Sequence, residues 1–169
     1  MVLYPPHAVL ASFSIHSPLV ASRGLPPSLP PSRRYGETAL HKAASGAHLD
    51  TIVYLCDAGA LVDASSELGM TPLLLAAQKG NPDTCRLLLG SGASVDAKDS
   101  TFGWTGLHFA TSESHESTMA CLIEGGANPR AKDEGGRSAV YCAKHPSIKV
   151  LLARLSAEFE NSRHAPFGR

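Results

Sequence analysis

Eight histidines and four cysteines are the residues of this chain best suited to metal binding or nucleophilic chemistry. The four cysteines are separated by 29, 36 and 21 residues, so the CxxC pairs of zinc ribbons and thioredoxin-like sites are absent. All of them lie in apolar runs, which is typical of small buried side chains: Cys56, Cys85, Cys121 and Cys142. Four unpaired buried thiols favour a reducing compartment, the cytoplasm or the nucleus.

Local motifs that position catalytic groups are also missing from the sequence. There is no GxSxG, HExxH, Walker-type or GxGxxG stretch, and each of these motifs brings its reactive groups together through a defined turn or helix. The sequence therefore predicts no enzymatic activity, no metal site and no bound cofactor. An enzyme is the least favoured of the functions considered, and it would require a pocket with convergent titratable groups.

The charges of the chain argue against two classes of partner. The whole chain balances 15 Lys+Arg against 15 Asp+Glu, whereas residues 35–155 hold 13 acids and 10 Lys+Arg. This mildly acidic part is unsuited to lying along a phosphate backbone. No run approaches the roughly 18 consecutive apolar residues that a membrane-spanning helix needs. We therefore expect neither nucleic-acid binding nor membrane insertion.

One short segment recurs along the chain, each time beginning at a glycine. Its copies are separated by 33, 34 and 33 residues and start at Gly36, Gly69, Gly103 and Gly136. A second anchor, a Gly-Ala pair, keeps the same phase at Gly59, Gly92 and Gly126. The extra residue of the longer step lies between Asp99 and Gly103, where a loop can absorb it. Two anchors in one phase indicate a repeat protein.

The repeated segment has the form Thr-x-Leu-His, with a Thr-Pro-Leu version at Thr71 and an Ala-Ala pair a few residues later. At this period it resembles the ankyrin-repeat family over residues 33–155. The resemblance implies an all-α solenoid of helix-turn-helix repeats joined by short hairpin fingers. We expect a Pro-rich disordered segment at residues 1–32 and a flexible tail at residues 156–169. Between them we expect four repeats, of which the last is degenerate, at residues 33–65, 66–98, 99–132 and 133–155.

Local chemistry supports this arrangement. The first helix of each of the first three repeats follows a threonine whose hydroxyl can cap it: Thr38, Thr71 and Thr105. The second helices of the first three repeats carry apolar residues at positions i, i+3 and i+4 and end at a glycine that we expect in the left-handed conformation. His41 and His108 share one repeat position, where we expect each to bond the backbone of a neighbouring loop rather than a metal.

The two ends depart from the pattern. Repeat four is shortened between Lys144 and Ser147 and resembles a terminal capping repeat. No such cap precedes repeat one, so either residues 1–32 partly cover that end or the chain is a piece of a longer array. The N-terminal segment also contains one PxxP, from Pro27 to Pro30, which fits either an SH3-like groove or a plain linker.

The candidate site consists of residues that neither helices nor core require. By resemblance, partners bind at the finger tips and on the exposed face of the first helices. The positions flanking the finger glycines hold large apolar side chains, of the kind that anchors interfaces: Tyr35, Leu68, Met70, Phe102 and Trp104. A polar rim is expected around them at Ser45, Gln78, Lys79, Ser112 and Glu113. Alternatively, Phe102 and Trp104 fold back to cover the inserted residue.

These observations favour one function and leave another open. The favoured function is recognition of another protein, as an adaptor, scaffold or inhibitor. Trp104 and Met70 are expected among the anchors, so replacing both with Ala should weaken binding without unfolding the protein. The alternative is a fragment or isoform of a larger ankyrin-repeat protein, such as a channel, kinase or ubiquitin-ligase component, whose activity lies elsewhere. The fold does not name the partner, because this architecture is used for many functions.

Overall fold

The computed structural model describes the backbone of residues 35–164 and the side chains of residues 35–158. The predicted Pro-rich segment at residues 1–32, with its PxxP at Pro27–Pro30, lies outside the described residues. Within them the chain forms helices, turns and one isolated antiparallel bridge, between Lys132 and Ser138. The helices are α1 Ala39–Ser45, α2 Leu49–Asp57, α3 Pro72–Lys79, α4 Pro82–Gly90, α5 Gly106–Ser112, α6 Glu116–Glu124, α7 Ala139–Cys142 and α8 Pro146–His164.

The helices form two layers. The first helices of the repeats, α1, α3, α5 and α7, pack side by side in one layer, and the second helices, α2, α4, α6 and α8, form the other. The core lies between the layers and receives buried side chains from every repeat, among them Leu40, Ile52, Leu73, Leu88, Leu107, Leu122 and Leu152. The predicted all-α solenoid is confirmed, with each repeat packed mainly on its neighbours.

The helix ends follow the sequence signals. The N-cap residues of α1, α3 and α5 are the predicted threonines, and the Thr71 hydroxyl accepts from the Leu74 amide at 3.3 Å. Asn81 is the N-cap of α4, although its side chain makes no capping bond. The glycines after the second helices have φ of 84°, 91° and 94° at Gly59, Gly92 and Gly126. The predicted left-handed helix ends are therefore confirmed.

The second, third and fourth fingers are each closed by a backbone hydrogen bond across the tip. The Ser66 amide donates to the Met70 carbonyl at 2.9 Å, and the equivalent bond of the fourth finger has the same four-residue span. In the third finger the Asp99 amide donates to the Trp104 carbonyl at 3.0 Å, which spans one residue more. This finger therefore absorbs the extra residue, as the sequence predicts.

A second set of bonds joins each finger to the next. The carbonyl of Tyr35 accepts from the Glu67 amide at 2.9 Å, that of Leu68 from the Ser100 amide at 3.0 Å, and that of Phe102 from the Glu134 amide at 3.0 Å. In every case the acceptor precedes the tip glycine, so the tips are held in a fixed row. Close packing accompanies these bonds, since a Cβ added at Gly69 would lie 2.3 Å from the Ser100 amide nitrogen.

The C-terminal end differs from the expected boundary. Helix α7 has only four residues, in line with the shortened fourth repeat, but α8 continues beyond residue 155 to His164. The Ser156 hydroxyl donates to the Leu152 carbonyl at 2.6 Å, and Arg154 pairs with Glu158 at 3.2 Å across one turn. Because neither Gly nor Pro interrupts residues 147–165, nothing in the sequence ends the helix at the predicted start of the tail.

The N-terminal end of the array leaves a helix face uncovered by the described residues. Tyr54 on α2 is 63% exposed, whereas Cys121, at the equivalent position of α6, is 4% exposed. The difference arises because the preceding repeat covers Cys121, whose thiol donates to the Pro82 carbonyl at 3.5 Å. Thr51 is likewise exposed while its counterpart Thr84 is buried.

One turn carries backbone strain that a substitution should relieve. Ala47 has φ of 54° at the position where repeat two has Gly80, with φ of 75°, and L-residues disfavour this region. Ala47→Gly should therefore raise the free energy of unfolding by about 1 kcal/mol, measured by urea denaturation. Ala58→Gly, at a helix end with φ of −75°, is the control and should lower it. Equal destabilisation by both changes would contradict the assignment of strain.

Candidate partner-binding surface

The residues before the tip glycines form an exposed apolar row. Tyr35, Leu68 and Phe102 are 56%, 49% and 53% exposed, and their carbonyls make the bonds that join the fingers. We call these three residues the tip row. Because the backbone bonds fix their order and spacing, the tip row presents three large apolar side chains on a rigid support. All three were predicted to contact a partner.

The residues after the tip glycines are placed differently. Met70 and Trp104 are only partly exposed. The Trp104 ring packs edge-on against Phe109, with centroids 5.2 Å apart, and stacks on His108 at 6.3 Å. Gly103 between them has φ of 68°, and this turn leaves Phe102 exposed at the tip while the Trp104 ring packs on α5, with the centroids of the two rings 5.6 Å apart. The predicted patch of five residues therefore separates into an exposed row and two half-buried residues.

The paired histidines take the local role expected of them. The Thr38 amide donates to Nδ1 of His41 at 3.1 Å, and Nε2 of His41 then donates to the Met70 carbonyl at 2.8 Å. His108 repeats this arrangement with Thr105 at 3.3 Å and the Arg137 carbonyl at 3.3 Å. Both rings are buried. Each neutral imidazole thus connects the start of a first helix to the neighbouring finger.

The acidic residues at the base of the third and fourth fingers are structural. Asp99 accepts from the backbone amides of its own finger, including that of Trp104 at 2.6 Å. Asp133 accepts from the amide of Arg137 at 2.8 Å and pairs with its guanidinium at 3.0 Å. The backbone bond from Arg137, with help from the guanidinium, holds the pKa of Asp133 below its usual range. The indole Nε1 of Trp104 lies near this carboxylate without reaching hydrogen-bond geometry.

The exposed face of the first helices forms only part of the predicted polar rim. Gln78 and Lys79 are exposed, and Glu113 is exposed but pairs with Lys144 at 3.4 Å. Ser112 is buried, since its hydroxyl donates to the Phe109 carbonyl at 3.1 Å, and so it is not part of the surface. Ser45 is half-buried.

The thiols and the possibility of a metal site complete the list of candidate chemistry. Burial raises the pKa of Cys85 to about 12 and raises the pKa of Cys121, so both are protonated thiols at neutral pH. Cys56 and Cys142 are half-buried and also free. Across the described part of the chain, no group of three His, Cys, Asp or Glu side chains could hold a metal ion, and no helix is long and apolar enough to cross a membrane.

Two further residues beside the tips were not predicted. Glu67 and Glu134 donate the backbone bonds to Tyr35 and Phe102, and both carboxylates are on exposed residues. A signal for them exists in the sequence, because they occupy the same position of repeats two and four, each directly after the residue that begins the finger. Their proximity to the tips of other repeats is a property of the folded array alone.

Comparison with known families identifies the chain. The model of three ankyrin repeats matches residues 19–99, and the single ankyrin-repeat model matches residues 102–134. The chain therefore belongs to the ankyrin-repeat family. Domains of this family are protein-interaction modules and are generally not catalytic, which agrees with the surface described above.

Relatives carry similar repeats inside much longer proteins. The chain is 36% identical to human SH3 and multiple ankyrin repeat domains protein 2 over 124 residues, which are 70% of this chain and 7% of that protein. It is 35% identical to the Caenorhabditis elegans transient receptor potential cation channel subfamily A member 1 homolog, over 62% of this chain and 8% of that protein. It is 36% identical to Drosophila melanogaster palmitoyltransferase Hip14, over 74% of this chain and 19% of that protein. The chain thus spans a fifth or less of each of these relatives.

The different placement of Phe102 and Trp104 predicts different effects on stability. Trp104→Ala removes a half-buried ring that contacts Phe109 and His108, so it should lower the free energy of unfolding by about 2–3 kcal/mol. Phe102→Ala removes a mostly exposed ring and should cost less than about 1 kcal/mol. Urea denaturation monitored by circular dichroism measures both values. A larger loss for Phe102→Ala than for Trp104→Ala would contradict the described packing.

The two buried histidines predict a loss of stability in mild acid. Burial lowers the pKa of both His41 and His108 below the ordinary value of 6.5, so in mild acid these histidines bind more protons in the unfolded chain than in the folded chain. The stability that the two neutral histidines contribute is fully present above about pH 6.5 and is lost as the pH falls towards their lowered pKa in the folded chain. The slope should reach at most about 1.4 kcal/mol per pH unit for each histidine, measured by urea denaturation between pH 7 and about pH 5.

A matched variant isolates the histidines from other titrating groups. Repeat two carries Leu74 at this position, and α3 still begins there with the Thr71 hydroxyl accepting from the Leu74 amide at 3.3 Å. The double variant His41→Leu with His108→Leu should therefore fold and should have a flatter dependence of stability on pH. An unchanged slope in the double variant would assign the acid sensitivity to other residues.

Proposed function

We propose that this chain binds a partner protein through the tip row, with the exposed face of the first helices extending the contact through Gln78, Lys79 and Glu113. The observation that carries the proposal is the set of three exposed apolar side chains held in one row by backbone bonds between fingers. Neither the core nor the helices require apolar residues there, and large apolar and aromatic groups are the usual anchors of interfaces.

The rigidity of the support favours this use. Binding is weakened when flexible groups must be ordered, and a surface already fixed by hydrogen bonds avoids most of that cost. Trp104 packs on His108 and Phe109 and Met70 is half-buried, so we expect their part in binding to be indirect. The role that fits such a surface is that of an adaptor, scaffold or inhibitor, in which recognition alone is the activity.

The test uses variants of the tip row in the full chain. Tyr35→Ser, Leu68→Ser and Phe102→Ser together should remove at least 90% of a partner captured from a cell lysate, since they remove the anchors and leave the core unchanged. The control replaces equally apolar and exposed residues elsewhere, Leu61→Ser and Tyr141→Ser, and should retain the partner. Retention by the tip variant, or equal loss by the control, would sink the proposal.

A second candidate function is that of the repeat portion of a larger protein whose activity lies in other domains. Two observations favour it: the exposed face of α2 around Tyr54, and the small share of its relatives that this chain spans. Named activities of those relatives, a cation channel and a palmitoyltransferase among them, reside in proteins several times longer. An antibody raised against residues 35–155 distinguishes the candidates, because a native polypeptide well above 17.7 kDa supports the larger protein and one near that mass does not.

A further inference from the structure

Two of the three tips lie beside an unpaired carboxylate. The Glu67 amide bonds the Tyr35 carbonyl, and the Glu134 amide bonds the Phe102 carbonyl. The side chains run alongside the tips as well: a Cβ added at the tip glycine Gly36 would lie 3.2 Å from Cγ of Glu67, and one at Gly103 would lie 2.9 Å from Cγ of Glu134. Each tip that carries an exposed aromatic residue therefore lies next to a glutamate from the next repeat.

These two glutamates differ from the other charges on the fingers. Glu37 pairs with Lys42, Asp133 pairs with Arg137, and Asp99 accepts from three backbone amides. By contrast, in the described part of the chain no side chain or amide makes a hydrogen bond or an ion pair with the carboxylate of Glu67 or of Glu134. The finger edge thus carries two uncompensated negative charges, each next to a tip that carries an exposed aromatic residue.

The arrangement alternates along the tip row. Tyr35 lies beside Glu67 at one end and Phe102 beside Glu134 at the other, while Leu68, between them, bonds the amide of the uncharged Ser100. A cation placed against an exposed ring and a nearby carboxylate gains both a cation–π contact and an ion pair. An aliphatic side chain such as Leu68 offers only apolar contact. The row therefore presents two sites suited to cations, separated by one suited to an apolar group.

We propose that the tip row binds a basic segment of its partner protein, with one Lys or Arg side chain at Tyr35 and Glu67, a second at Phe102 and Glu134, and an apolar side chain against Leu68. This proposal rests on the proposed function and names the chemistry of the partner. The charge of the surface carries it, because a partner with acidic residues at those two points would be repelled and a purely apolar one would leave both carboxylates desolvated without a counter-charge.

The test selects binders of the full chain from a random peptide library displayed on phage, at low ionic strength. We expect the selected peptides to be enriched in Lys and Arg, with two basic residues flanking an apolar one. Glu67→Gln with Glu134→Gln should weaken their binding at least tenfold. Glu116→Gln with Glu124→Gln removes two exposed acids from α6 and is the matched control, which should bind as the unaltered chain does. Raising the salt concentration should weaken the unaltered chain more than the Glu67/Glu134 variant.

The outcomes separate this inference from the proposed function. The selected peptides could lack basic residues and yet fail to bind the variant with serine at positions 35, 68 and 102. That result would support the tip row as a binding surface and would overturn the inference that the partner segment is basic. Binding unchanged by Glu67→Gln with Glu134→Gln would also overturn it. A library that yields no binder at the tip row would contradict the inference. If the tip-row serine variant also still captured its partner from a lysate, the proposed function would be contradicted as well.

Discussion

The hydrogen bond between the carbonyl before one tip glycine and an amide of the next finger is the constraint on which the surface depends. It recurs at Tyr35, Leu68 and Phe102, and it requires glycine after each acceptor, since the neighbouring finger leaves no room for a side chain at Gly69. The same bond places an apolar tip from one repeat beside a residue of the next. The spacing of the tip row and the position of Glu67 and Glu134 beside it follow from this one backbone pattern.

The helices hold the fingers by a second connection. His41 and His108 join the N-terminal end of a first helix to the base of the following finger, so a finger cannot tilt without breaking a buried bond. Trp104 supports the third finger by packing on α5, which compensates for the longer span that the inserted residue creates. The second and fourth fingers are thus fixed to the first helix of the preceding repeat, the third to its own helix α5, and neighbouring fingers to each other.

Much of the fold could be predicted because its signals are local. The capping threonines, the left-handed glycines and the histidine bonds each depend on a few neighbouring residues or on one period. For Trp104 the sequence left two placements open, exposed at the tip or folded back, because the choice depends on packing against His108 and Phe109 in the folded repeat. The continuation of α8 depends on the absence of a stop signal rather than on a pattern. Glu67 and Glu134 were missed because their neighbours, Tyr35 and Phe102, belong to other repeats.

A photo-cross-linking amino acid at position 68, in the full chain inside living cells, tests the central claim most directly. Position 68 lies in the middle of the tip row, and position 61, exposed on a different loop, is the control. The account predicts that a partner protein is cross-linked from position 68 and that the same partner is absent from position 61. Cross-linking from position 61 alone, or none from position 68, would contradict the assignment of the tip row as the binding surface.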